Sequence, residues 1–110
     1  MSEGTGVRLA LVTAPSSEAE ALARSLVEDR VAACVNILPG VRSTFRWEGK
    51  VETAEESLLL LKVSAAGSEG LPAEVAARHP YDVPEVLLLD VAAGLPAYLS
   101  WVRESTGVSG

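Results

Sequence analysis

An α+β fold is predicted, an antiparallel sheet with helices packed on one face, and three observations lead to it. Apolar runs of strand length alternate with stretches of helical periodicity in the order β-α-β-β-α-β, and one more helical stretch follows. The 110 residues suit a single compact domain. Apolar residues make up 48% of the chain and aromatic ones only 5%, so the core must be built from Val, Leu and Ala rather than from rings.

The first strand is "VRLALVTAP", Val7 to Pro15, apolar nearly throughout and stopped by proline, the pattern of a strand buried on both faces. In "SSEAEALARSLVEDR", Ser17 and Glu20 fit a capping box, and Ala19, Leu22, Ala23, Leu26 and Val27 recur at helical spacing. "VAACVNIL" is apolar and rich in β-formers, "PG" at 39–40 bends the chain, and "VRSTFRW" places Val41, Ser43, Phe45 and Trp47 on one side, giving a long bent strand. "WEGKV" then reverses direction, because Gly49 accepts a positive φ, and "VETAEESLLLLKV" returns as the third strand of a long hairpin.

"SAAGSEG" is a loop with Ser68 as candidate N-cap, before a short helix "LPAEVAAR" that tolerates Pro72 in its first turn. Pro80 disfavours the α region at His79 and ends that helix. "VLLLDV" reads as a buried fourth strand, and "AYLSWVRES" as an amphipathic helix anchored by Tyr98, Leu99 and Val102. This order is the split βαβ, ferredoxin-like arrangement with an additional C-terminal helix. One domain over residues 7–106 is expected, between short mobile termini at 1–6 and 107–110.

Fifteen acidic against nine basic residues give a net charge of -6, which repels nucleic acid and anionic membrane surfaces. No apolar run approaches the ~18 residues that cross a bilayer, and "MSEGTG" has no secretory character, so a cytoplasmic protein is expected. The single Cys34 has no intramolecular disulfide partner and is read as a small, buried, inert residue.

The stretch "ARHPYDVPE", residues 77–85, gathers the only histidine, one of two tyrosines, two of six prolines and two carboxylates. One His and one Cys, far apart, form no closely spaced ligand pair, so a structural zinc site is not expected. A weak or inter-chain site using His79, Asp82 or Glu85 stays open beside a plain reading of His79 as a hydrogen-bonded helix terminator. Nucleophilic catalysis is not expected, since there is no "GxSxG", no second histidine, and no base beside Cys34 in its own run. Neither "GxxxxGK" nor "GxGxxG" is present to cradle a phosphate. Acid-base work by His79 with Tyr81 and Asp82 has no recognisable substrate pocket to act in. Trp47 at the hairpin tip is read as a packing residue.

The stretches "VTAP", "LARSLVEDRVAACVNILPGVRSTFRWEGKVE", "LLLLKV", "HPYDVPEVLLLDV" and "PAYLSWVRES" strongly resemble the CutA divalent-cation tolerance proteins, in the same order and spacing from about Val7 to Thr106. The resemblance implies a cytoplasmic, trimeric ferredoxin-like protein tied to tolerance of copper and other divalent cations. The metal site proposed for some members uses a first-strand cysteine, a histidine just before that of "HPY", and the glutamate after the motif's second proline. Those positions here hold Val12, Arg78 and Glu85, so only the glutamate carries over and His79 would have to supply the imidazole.

The expected function is therefore a non-enzymatic, divalent-cation responsive homotrimer with no obligatory cofactor. It would bind copper weakly through His79 and Glu85, with Asp82 and Cys34 as weaker candidates. The alternative is a trimeric small-molecule or anion sensor whose inter-subunit pocket uses Lys62, Arg78 and Tyr81. A third reading is a scaffold with no ligand. Assembly also follows from the hairpin. Strands from Val31 to Trp47 and Val51 to Val63 exceed the usual length of about six residues, and their tip, with Phe45 and Trp47, needs a partner to cover it.

Overall fold

A computed structural model describes residues 4–107. The elements run β1 Val7–Ala14, α1 Ser16–Glu28, β2 Cys34–Trp47, β3 Lys50–Ser64, α2 Leu71–Arg78, β4 Val86–Asp90 and α3 Pro96–Ser105, with a short 3-10 turn at Ser68–Gly70 before α2. The four strands form one antiparallel sheet in the order β2-β3-β1-β4, the expected ferredoxin-like topology.

Period-two alternation divides the sheet into two unlike faces. Ala10, Val12 and Ala14 of β1 and Leu59, Leu61 and Val63 of β3 point to one side, where they are buried with Ala19, Leu22, Ala23 and Leu26 of α1 and Leu71 and Val75 of α2. Helix α1 packs over β2 and β3, and burial of each larger aliphatic contributes about 1.5–3 kcal/mol. Helix α3 packs at the end of the sheet where β1 begins and β3 ends. There Val102 is buried and the Thr106 hydroxyl accepts the Ser64 N–H at 3.1 Å.

The opposite face carries no helix from α1 or α2. Leu9 and Leu11 of β1 stand across from Lys62 and Leu60 of β3 and from Leu89 and Leu87 of β4, so a leucine surface faces outward. Leu87 is 54% exposed and Leu89 45%. The expectations that β1 is buried on both faces and that β4 is a buried strand are thereby corrected: the helices cover one face only, and β4 is an edge strand with a single neighbour. The chain exposes 6856 Å², against about 5,800 Å² for a compact monomer of its mass, and its radius of gyration of 14.6 Å exceeds the roughly 13 Å expected for its length.

Part of that excess is the β2–β3 hairpin. Only Ser57–Ser64 of β3 pair with β1, so the segment from Val41 to Glu56 is a two-stranded ribbon projecting beyond the sheet. Its bend is a register shift between Leu38 and Val41, where Gly40 takes φ 76°. Its tip is a two-residue turn with Glu48 at φ 50° and Gly49 at φ 80°, the paired left-handed conformation that matches strand twist.

Local caps differ from the sequence pattern. Helix α1 starts at Ser16 with no side-chain cap, because the Pro15 carbonyl accepts the Glu18 N–H at 2.9 Å and closes the first turn with backbone alone. Ser68 likewise does not cap α2. The 3-10 turn intervenes, and its hydroxyl donates to the Ala65 carbonyl at 3.0 Å while accepting from Arg8. At the ends, Thr5 donates to the Val91 carbonyl at 2.8 Å and Gly107 to that of Arg30 at 2.8 Å, so the bonded structure begins before Val7 and reaches Gly107. The expected mobility of the remaining terminal residues falls outside the described residues.

Candidate functional site

Pro80 stops α2 at His79, whose backbone turns extended at φ -94° and ψ 142°. The imidazole, 9% exposed, turns back over the end of β1. Its Nδ1 accepts the Tyr81 N–H at 3.1 Å, so Nε2 carries the proton and donates to the Thr13 carbonyl at 2.7 Å. Both ring nitrogens are thus engaged. A metal ion would take either nitrogen only after one of these bonds is released.

This pin sets the direction of the next residues. Tyr81 tilts against the His79 ring with centroids 4.8 Å apart, and its hydroxyl donates to Glu56 Oε2 at 2.8 Å. Burial, and then the bond to Glu56, push the Tyr81 hydroxyl up to about 12 from its usual 10.0. The folded value lies above the unfolded one, so the stability linked to this phenol is complete below pH 10 and is lost as pH rises towards 12. Tyr81→Phe is therefore expected to lose less stability than wild type over that alkaline window in chemical denaturation. Identical profiles would remove the hydroxyl from the account.

Between the projecting hairpin and the Tyr81–Glu85 segment lies a groove of about 750 Å³. Its lining includes Ser43, Phe45 and Trp47 of β2, Glu52, Ala54 and Glu56 of β3, and Tyr81, Asp82, Val83 and Glu85 beyond α2. The hairpin register explains the lining: Phe45 stands opposite Glu52 and Ser43 opposite Ala54 on the helix-free side. Sequence reasoning missed Glu52 and Glu56. The signal was present in "VETAEES", where Glu52, Ala54 and Glu56 recur at the two-residue spacing that puts them on one face.

Of the candidate ligands, Asp82 and Glu85 are exposed and share this groove. Val12 is fully buried in the core under the helices. Cys34 lies towards the other end of the sheet, where it is half-buried rather than enclosed. The sheet brings Lys62 beside it from β3, so the thiol does have a basic neighbour, with Nζ donating to Cys34 Sγ at 3.7 Å and also to Asn36 Oδ1. Burial, and then contact with Cys34, raise the Tyr98 hydroxyl above its usual value. Among the described residues, no group of three or more His, Cys, Asp or Glu side chains is placed to hold one metal ion.

Lys62, Arg78 and Tyr81 do not meet within one chain. Lys62 is six residues along β3 from Glu56, roughly 20 Å away in an extended strand. Arg78 serves the helical layer: it donates to Glu74 Oε1 at 2.7 Å, Asp29 Oδ2 at 2.6 Å and Ser25 at 2.8 Å. Those bonds, Glu74 first and Asp29 next, raise its already high affinity for its proton.

The sequence profile of the CutA1 divalent ion tolerance protein family matches residues 8–105. The divalent-cation tolerance protein CutA of Thermus thermophilus is 49% identical over 98 residues, which cover 88% of this chain and 95% of that protein. The crystal structure of CutA from Xylella fastidiosa superposes with a TM-score of 0.89 at 42% identity, covering 93% of this chain and 99% of that one. A structure described as a PII-like protein CutA from Nostoc sp. PCC 7120, in apo form, superposes with a TM-score of 0.87 at 36% identity, covering 93% and 99%. By profile, relatives and fold alike, the chain belongs to the CutA1 divalent ion tolerance protein family.

Proposed function

We propose that this chain serves divalent-cation tolerance as a homotrimer that binds the cation weakly, without catalysis, in the groove beside "HPYDVPE". The single observation that carries this reading is that Asp82 and Glu85 line one groove together with Glu52 and Glu56, and since no three of them are placed to hold one ion, the binding it supports is weak. Carboxylates suit hard divalent ions, and an imidazole adds affinity for copper. His79 joins the ligand set only by giving up its bond to Thr13 or Tyr81, which makes copper binding weak by construction.

Cu(II) titrated calorimetrically into wild type, Glu85→Gln and His79→Ala tests it. Glu85 is exposed, so its replacement leaves the fold intact. Affinity should fall on the order of tenfold, ~1.4 kcal/mol, in Glu85→Gln. Unchanged affinity in both variants would remove the groove from metal binding.

Support for assembly is the uncovered leucine face together with the projecting hairpin, on which Phe45 is 41% and Trp47 50% exposed. A second reading, a small-molecule sensor, is favoured by the size of the groove, which falls in the range of ligand pockets. The neighbour described as PII-like points the same way.

A further inference from the structure

We propose that α3 is a strap that docks on the sheet and comes off it as one unit, with Arg30 as its latch. The latch lies where β1 begins and β3 ends, away from the groove, which borders Thr13 at the other end of β1.

The backbone of Arg30 gives the first indication. Helix α1 ends in a Schellman turn, in which the Arg30 N–H donates to the Val27 carbonyl at 3.0 Å and the Val31 N–H to that of Leu26 at 2.9 Å. Arg30 occupies the left-handed position of that turn at φ 62°, where glycine is the ordinary occupant because a Cβ crowds the following carbonyl. An arginine held there against its own backbone preference needs a compensating contact.

Its side chain makes that contact. The guanidinium donates from Nη2 to the Glu104 carbonyl at 2.9 Å and from Nε to the Gly107 carbonyl at 3.1 Å. In return the Arg30 carbonyl accepts the Gly107 N–H at 2.8 Å, which closes a two-way clasp. The last carbonyls of a helix have no partner within it and attract positive charge, so α3 is capped by a residue 74 positions away in the chain.

Little else fixes α3. Val102 is the one buried residue of Pro96–Ser105. Arg103 donates to the Thr5 carbonyl at 2.6 Å and Thr106 holds the Ser64 N–H, so the polar ties gather at the C-terminal end of the helix. On its N-terminal side Ala92, Ala93 and Gly94 are exposed and make no hydrogen bond. Sparse apolar burial and an exposed, unbonded connection mark an element that opens at a lower free energy than the sheet does. That connection is the hinge, and Arg30 is the catch.

Hydrogen exchange of the assembled protein, followed segment by segment by mass spectrometry, tests this in wild type, Arg30→Gly and Arg30→Ala. In wild type the α3 amides should exchange about tenfold or more faster than those of β1 and β3. Arg30→Gly should speed α3 exchange by about another tenfold and that of β1 and β3 by less, because glycine relieves the left-handed backbone while losing the clasp. Arg30→Ala loses the clasp and keeps the unfavourable backbone, so β1 and β3 should exchange faster in it than in Arg30→Gly. Protection of α3 equal to that of β1 and β3 in wild type would overturn the strap. Unchanged α3 exchange in Arg30→Gly would overturn the latch.

Discussion

Leu89→Asp is expected to convert the assembly to single chains without unfolding them. Leu89 sits in the edge strand β4, opposite Leu9, and is 45% exposed in the isolated chain. A carboxylate there meets water in a monomer and costs the fold little. At a subunit contact it would be buried without a partner, at about 3 kcal/mol or more per interface, a factor on the order of 100 in association constant. Trp47→Asp at the hairpin tip should act in the same direction. A Leu89→Asp protein with the wild-type mass would show that the leucine face is not the contact.

His79→Ala is expected to lower unfolding free energy by about 2–4 kcal/mol in metal-free protein, because it orphans the Thr13 carbonyl and the Tyr81 N–H and opens a void beneath Tyr81. Denaturant midpoints with the slope unchanged would report it. A residue that waits as a free metal ligand would show no such cost in the absence of metal. Equal stability of the two proteins would return His79 to the ligand set and withdraw the structural pin.

Element order was legible in the sequence wherever a single local cause decides it. The 3.6-residue spacing of Ala19, Leu22 and Leu26 sets α1, Pro80 ends α2, and the left-handed preference of Gly49 places the hairpin turn. What depends on the far side of the sheet was not legible. An unbroken apolar run such as "VLLLD" signals burial on both faces, but whether the second covering is a helix or another subunit does not show in the run itself. The cap at Ser17 failed because Pro15 offered a competing backbone acceptor. Lys62 beside Cys34 was hidden because cross-strand neighbours follow from register, which the Leu38/Val41 bulge shifts. The acidic groove was half visible: Asp82 and Glu85 stood in the motif, while Glu52 and Glu56 reach it only through the return strand.

Everything proposed for the groove and the leucine face presumes that this chain works as a symmetric trimer, and the wild-type mass in solution tests that most directly. Light scattering on protein at micromolar concentration should give about three times the 11.5 kDa chain mass. A mass of one chain would contradict the account, leaving the exposed leucines and the projecting hairpin without a reason.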